Sequence, residues 1–129
     1  MISVSYVSKS QIAGNLGEVL AIRDAAIEHN RKIGVTGCLY CDSNFFFQIL
    51  EGRRADVMNL LRKVCRDTRH SDIRVIDGLE ITKRRFGDSS MKLVNGISNQ
   101  ALSNSFTREG FQMCDRHFLA ARINDLESL

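Results

Sequence analysis

Asn44-Phe45-Phe46-Phe47-Gln48-Ile49-Leu50-Glu51-Gly52 decides how this chain is read. The short apolar run marks a buried strand, ended by Gly52, with a glutamine at its centre. A primary amide taken from water without partners costs about 1–3 kcal/mol. The fold must therefore bring a hydrogen-bonding group to Gln48.

On the N-terminal side, Gly34 and Gly37 bracket the start of a second strand through Tyr40. The polar turn Cys41-Asp42-Ser43-Asn44 is short enough to make the two strands antiparallel. Further back, Ile2, Val4 and Tyr6 alternate with Ser3 and Ser5, which predicts a half-buried first strand with Tyr6 on its apolar side. Asn15 and Glu18 have capping-box spacing and open a helix that runs to about Asn30. Its stripe is Leu16, Val19, Leu20, Arg23 and Ile27, and Ile22 and Ala26 on the flank offer a second apolar surface.

On the C-terminal side, Val57, Leu60, Leu61 and Val64 define a second amphipathic helix to about Asp67. Ile73, Val75, Leu79 and Ile81 alternate through a break at Gly78, predicting a fourth strand. The basic Lys83-Arg84-Arg85 and then Phe86-Gly87-Asp88 lead to a fifth near Met91 to Val94. The order is that of an α+β, ferredoxin-like β-α-β-β-α-β sandwich with an added strand. Two helices cover one sheet face, and the other needs a cover of its own. The tail supplies a candidate, with a short helix near 99–104 and a longer one near 108–126, whose apolar face could cap the sheet or mediate assembly; capping is favoured, because an uncovered sheet face is costly. The expected layout is a folded unit over 1–95 with a helical cap over 96–129.

A chain of 129 residues forms one domain. A hydrophobic fraction of 43% and a charged fraction of 26% are ordinary for a soluble globular protein. The net charge of +3 suits a phosphorylated ligand or an acidic partner better than nucleic acid. No run is long and apolar enough to span a membrane. The N-terminus lacks a signal-peptide layout, so a cytoplasmic protein is expected. Of Cys38, Cys41, Cys65 and Cys114, the first two have C-x-x-C spacing. In a strand that spacing points them to opposite faces, and nothing completes a zinc site. Four reduced, mostly buried thiols and no metal are expected.

Tyr6, Asn30, Gln48 and Met91 are the candidate functional positions. In the sandwich the first and third strands are central neighbours, so Tyr6 and Gln48 can lie side by side. Tyr6 also suits an amphipathic core position, Asn30 a helix C-cap and Met91 core filling.

Several blocks, in order, resemble the BLUF family of blue-light sensors that bind flavin adenine dinucleotide (FAD). They are Val4-Ser5-Tyr6-Val7-Ser8; His29-Asn30 with Gly34-Val35-Thr36-Gly37-Cys38-Leu39; Phe46 to Gly52; Asp67-Thr68-Arg69-His70; and Arg84-Arg85-Phe86 with Ser90-Met91. The resemblance spans about residues 2 to 94. It implies a flavin ring between the two helices, sandwiched by Ile22 and Val64. Asn30 would bond the ring's polar edge beside His29, while Lys63, Asp67, Arg69 and His70 would line that edge and the ribityl side. Tyr6, Ser8 and Gln48 complete the implied cofactor set. Arg31 and Lys32 are placed to attract phosphates, although such charge runs are usually solvated surface.

The resemblance further implies a photoreceptor rather than an enzyme. Light would drive electron and proton transfer from Tyr6, rearranging the hydrogen bonds of Gln48 and biasing strand five through Met91. Where many members carry a tryptophan two residues before this methionine, Ser89 stands here, and the chain has no tryptophan. The output would be a downstream signalling protein or the chain's own oligomer, with neither membrane nor nucleic acid engaged directly. A flavin redox enzyme is the main competing reading, and a non-photoactive interaction domain a lesser one. An RNA-binding module of the same strand order is a weaker one, because Asn44–Gly52 lacks its aromatic signature.

Overall fold

A computed structural model describes residues 1–97. In chain order it contains β1 (Ile2–Ser10), α1 (Leu16–Ile33), β2 (Thr36–Cys41), β3 (Phe45–Gly52), α2 (Arg54–Cys65), β4 (His70–Glu80) and β5 (Lys92–Asn95). The sheet order is β4-β1-β3-β2-β5, with β2 and β5 parallel and the other neighbours antiparallel. The expected α+β order with an added strand is therefore present, and the sheet is mixed. The helices read at 99–104 and 108–126, and Cys114, lie outside the described residues.

The sheet separates two apolar clusters. Val4, Tyr6, Leu50 and Met91 pack with Val19 of α1 and Val57 of α2. Cys38, Tyr40, Phe47, Ile49, Phe86 and Val94 form the cluster on the opposite face. Cys38 and Cys41 are buried and not joined in a disulfide, and they lie on opposite faces, as the strand periodicity requires. Burial, then the charge of Asp42, pushes the Cys41 thiol up to about 12, which keeps it unreactive. Cys65 is exposed rather than buried, because it ends α2 on the solvent side.

Several local expectations need correction. Strand β1 is buried on both faces, Ser3 and Ser5 included. It lies between β4 and β3, and the Ser5 hydroxyl donates to Asp77 Oδ1 at 2.7 Å. Helix α1 begins as expected, with Asn15 Oδ1 accepting from Glu18 N–H at 3.1 Å, but it runs a turn past Asn30 to Ile33. Gly34, at φ 69°, supplies the left-handed cap. Asn30 is thus inside the helix and free for other work. Gly37 lies within β2, where a Cβ would collide with the Ile49 carbonyl oxygen. Helix α2 stops two residues before Asp67, and Met91 immediately precedes β5.

The predicted alternation along β4 fails. Register shifts occur opposite Ser5/Tyr6 and Val7/Lys9, and Asp72 near the second has φ 52°. The first shift puts Val75 opposite Tyr6 and Leu79 opposite Ser3, on different faces. Both side chains are exposed on this sheet edge.

Candidate functional site

Register brings the central row together. Tyr6 pairs with Gln48 and Gln48 with Leu39, so all three project from the helix-covered face. The Tyr6 hydroxyl donates to Gln48 Oε1. Gln48 Nε2 donates to Met91 Sδ at 3.5 Å. One amide thus receives a phenol at its oxygen and contacts a thioether at its nitrogen, which fixes its orientation. Both Tyr6 and Gln48 are buried. Burial, reinforced by Cys65 and Asp67, holds the Tyr6 pKa well above the usual 10.0. The phenol therefore keeps its proton at physiological pH. Below pH 10 its contribution to stability is fully present. That contribution erodes as pH climbs from there toward the folded pKa, because the unfolded chain ionises first.

A cavity of about 230 Å³ opens above this row between α1 and α2. Ile22 and Ala26 wall it from α1, Leu60 and Val64 from α2, and Tyr6, Leu39, Phe46 and Gln48 form its floor. The volume is below the roughly 300–1,000 Å³ of pockets that enclose a whole drug-sized ligand. It suits the ring end of a ligand whose remainder lies outside. His29, Lys63, Asp67, Arg69 and His70 line the polar part. Arg69 grips Asp67 through several guanidinium hydrogen bonds, one of them from Nε at 2.9 Å. Those bonds hold the Asp67 carboxyl below the usual carboxylate range and the Arg69 pKa above its own.

Asn30 is the informative wall residue. It is buried in the last turn of α1, and its Nδ2 donates to the Ser90 carbonyl at 3.0 Å. Its Oδ1 is buried with no hydrogen-bond partner among the described residues. Such an orphan acceptor is costly unless a donor fills the space beside it. A planar heteroaromatic ring with an N–H on one edge meets that need, and the apolar walls suit its faces. The residues present fit a flavin ring.

The other expected positions divide. Ser8 does not line the cavity; its hydroxyl lies 2.7 Å from His70 Nδ1. His70 Nε2 lies 2.6 Å from the Val64 carbonyl, which only accepts, so Nε2 carries the proton. In the neutral ring Nδ1 then accepts from Ser8, which makes Ser8 a support for the wall. Arg31 and Lys32 stand exposed and pair with Glu28 at 3.7 and 3.4 Å. Leu39, Phe46 and Leu60 were not anticipated as lining residues. Leu39 and Phe46 share the face of Gln48, and Leu60 lies one turn before Val64, so strand and helix periods could have found them.

This sheet, with a ring-sized cavity between its helices and a buried amide beneath it, defines a cofactor-binding domain. The profile of the family described as BLUF, sensors of blue-light using FAD, matches residues 1–92. A photoactivated adenylate cyclase subunit beta of Euglena gracilis is 37% identical over 95 residues, covering 67% of this chain and 10% of that protein. The blue light- and temperature-regulated antirepressor BluF of Escherichia coli is 32% identical over 89 residues, covering 69% of this chain and 21% of that protein. The chain thus spans only a small part of these relatives. A dark-state structure of the BLUF protein BlrB superposes with a TM-score of 0.83 at 29% identity, covering 99% of this chain and 96% of that one. The chain belongs to the BLUF family of flavin-binding blue-light photoreceptors.

Proposed function

We propose that Tyr6, Gln48 and Met91 form the photoswitch, and that the cavity side chains hold the flavin. The observation that carries this reading is the continuous path Tyr6 hydroxyl, Gln48 amide, Met91 sulfur beneath a ring-sized cavity. When bound, flavin supplies blue-light absorption and, once excited, a strong oxidant. Tyr6 holds its proton at Oη, directed at Gln48 Oε1, and can release an electron and then that proton. Gln48 carries a donor and an acceptor on one group, so rotation or tautomerisation exchanges its partners. That exchange would release or tighten the contact with Met91. Ile22 and Val64 would face the ring, Asn30 Oδ1 would accept from its polar edge with His29 beside it, and Lys63, Asp67, Arg69 and His70 would line the side leading out.

The purified protein should be yellow. Blue light should shift its absorption slightly to the red, with full recovery in the dark. Colourless protein that cannot be reconstituted with flavin would sink the reading. Bleaching by an added substrate, without a reversible shift, would favour the redox enzyme instead. In Asn30→Ala, flavin should bind about five- to 150-fold more weakly, from the roughly 1–3 kcal/mol of a buried polar contact. Equilibrium dialysis measures this, and unchanged affinity would remove Asn30 from the site.

The output is proposed as a downstream protein or a change of oligomer rather than catalysis by this domain. One relative is named an antirepressor and another a cyclase subunit, so the same sensor serves different outputs. Residues 1–95 are proposed as the flavin-binding unit and 96–129 as its helical cap, on the sequence pattern. No helix among the described residues is long and apolar enough to cross a membrane. A cytoplasmic setting is proposed, on the sequence pattern and the reduced state of Cys38 and Cys41.

A further inference from the structure

Glu51 is a buried carboxylate that the photoswitch does not use. It is 2% exposed and lies three residues beyond Gln48, on the opposite face of β3. Its Oε2 accepts from Arg85 N–H at 2.7 Å, and its Oε1 from Phe86 N–H at 2.9 Å and the Thr36 hydroxyl at 3.1 Å. The Arg84 guanidinium donates to the Thr36 hydroxyl at 3.0 Å and to the Glu51 carbonyl at 3.1 Å. A buried carboxylate persists only when its oxygens are met in this way. Both backbone donors, and Arg84, belong to the irregular connection between β4 and β5, while Thr36 opens β2.

That connection is a strap around the edge of the sheet. Phe86 packs in the cluster opposite the helices, whereas Met91 packs in the helix-side cluster. Between them, Gly37 N–H donates to the Ser89 carbonyl at 3.2 Å, just before β5 takes up pairing at Cys38. Asn30 holds the Ser90 carbonyl, and the Gln48 amide meets Met91. The strap is thus fixed by Glu51 at one end and touched by the candidate switch at the other.

We infer that Glu51 is a positioning residue for the photoresponse: it anchors Arg85 and Phe86, so that displacement of Met91 is delivered to the opposite sheet face. The inference rests on the reading of Gln48 and Met91 as the switch. With a slack anchor, motion at Met91 would dissipate along the loop. With a fixed one, it turns the strap about Ser89 and shifts Phe86 against its cluster.

The test uses the full flavin-loaded chain and amide hydrogen exchange, in the dark and under blue light. Glu51→Gln sets an amide donor against one of the two backbone donors while keeping size and shape. In the dark, exchange at Ser89 and Met91 should rise about fivefold, the loss of one net hydrogen bond, with α1 and β1–β3 unchanged. Under light the red shift should keep its amplitude, while the light-induced change at Arg85 and Phe86 disappears. Unchanged exchange at Ser89 and Met91, or a rise spread evenly over the fold, would overturn the inference. A preserved light response at Phe86 would do the same. Should Glu51→Gln not fold, Thr36→Val removes the hydroxyl joining Glu51 to Arg84 and should give a weaker form of the same local pattern; no local change would again refute the role. The dark arm needs no photochemistry, so a wild-type protein lacking the red shift would sink the photoreceptor reading while exchange still decides on Glu51.

Discussion

Gln48→Leu gives a protein that binds flavin and stays yellow, but whose absorption spectrum is the same before and after blue light. Leucine is close to glutamine in volume, so the row from Leu39 through position 48 to Tyr6 keeps its packing. What vanishes is every hydrogen-bonding function at that point. The Tyr6 hydroxyl loses its acceptor and Met91 its donor. A buried hydroxyl left unpaired costs about 1–3 kcal/mol, offset in part by the apolar side chain beside it, so the domain still folds. Because, among the described residues, the Tyr6 hydroxyl meets no amide but that of Gln48, the expected loss is complete rather than partial. A light-minus-dark difference spectrum measures it. A reversible red shift surviving in this variant would mean that the switching group lies elsewhere in the cavity.

Gln48 was legible in the sequence because an amide in an apolar strand states its own need for a partner. Tyr6 followed from alternation in β1 and the central position of β1 and β3. Asn30 was harder. Its helix end was misplaced by a turn, because Gly34 read as the opening of β2 rather than as the cap of α1. Only the resemblance marked Asn30 as more than a cap, and the orphaned Oδ1 now gives it a physical reason. Glu51 and Asp42 were invisible for a shared cause. Each follows or precedes a turn, where acids are ordinarily solvated, yet both are buried. Asp42 Oδ1 accepts from the N–H groups of Asn44 and Phe45, and Tyr40 donates to Oδ2 at 2.7 Å. Glu51 depends on a strap that joins it only after the chain has crossed the sheet. Bulges misled the reading of β4, since a single extra residue reverses the face of everything beyond it.

Tyr6→Phe should raise flavin fluorescence severalfold and abolish the red shift or leave a small fraction of it. The substitution removes one oxygen, and with it the electron donor and the proton directed at Gln48. Nothing in the chain replaces it. There is no tryptophan, and the other tyrosine, Tyr40, packs on the far face of the sheet with its hydroxyl committed to Asp42. Tyr40→Phe is accordingly the control, expected to leave fluorescence and red shift at wild-type values. The fold tolerates the change at position 6, because the buried Gln48 Oε1 loses one partner, at a cost of about 1–3 kcal/mol. Flavin affinity should hold, since the lost hydroxyl bonded Gln48 rather than facing an orphaned cavity atom. Time-resolved fluorescence and the difference spectrum, measured on one sample, separate the two roles assigned to Tyr6. Strong fluorescence with the red shift intact would leave Tyr6 as a quencher only, and Gln48 would then switch without its proton. Unchanged fluorescence would remove Tyr6 as the donor altogether.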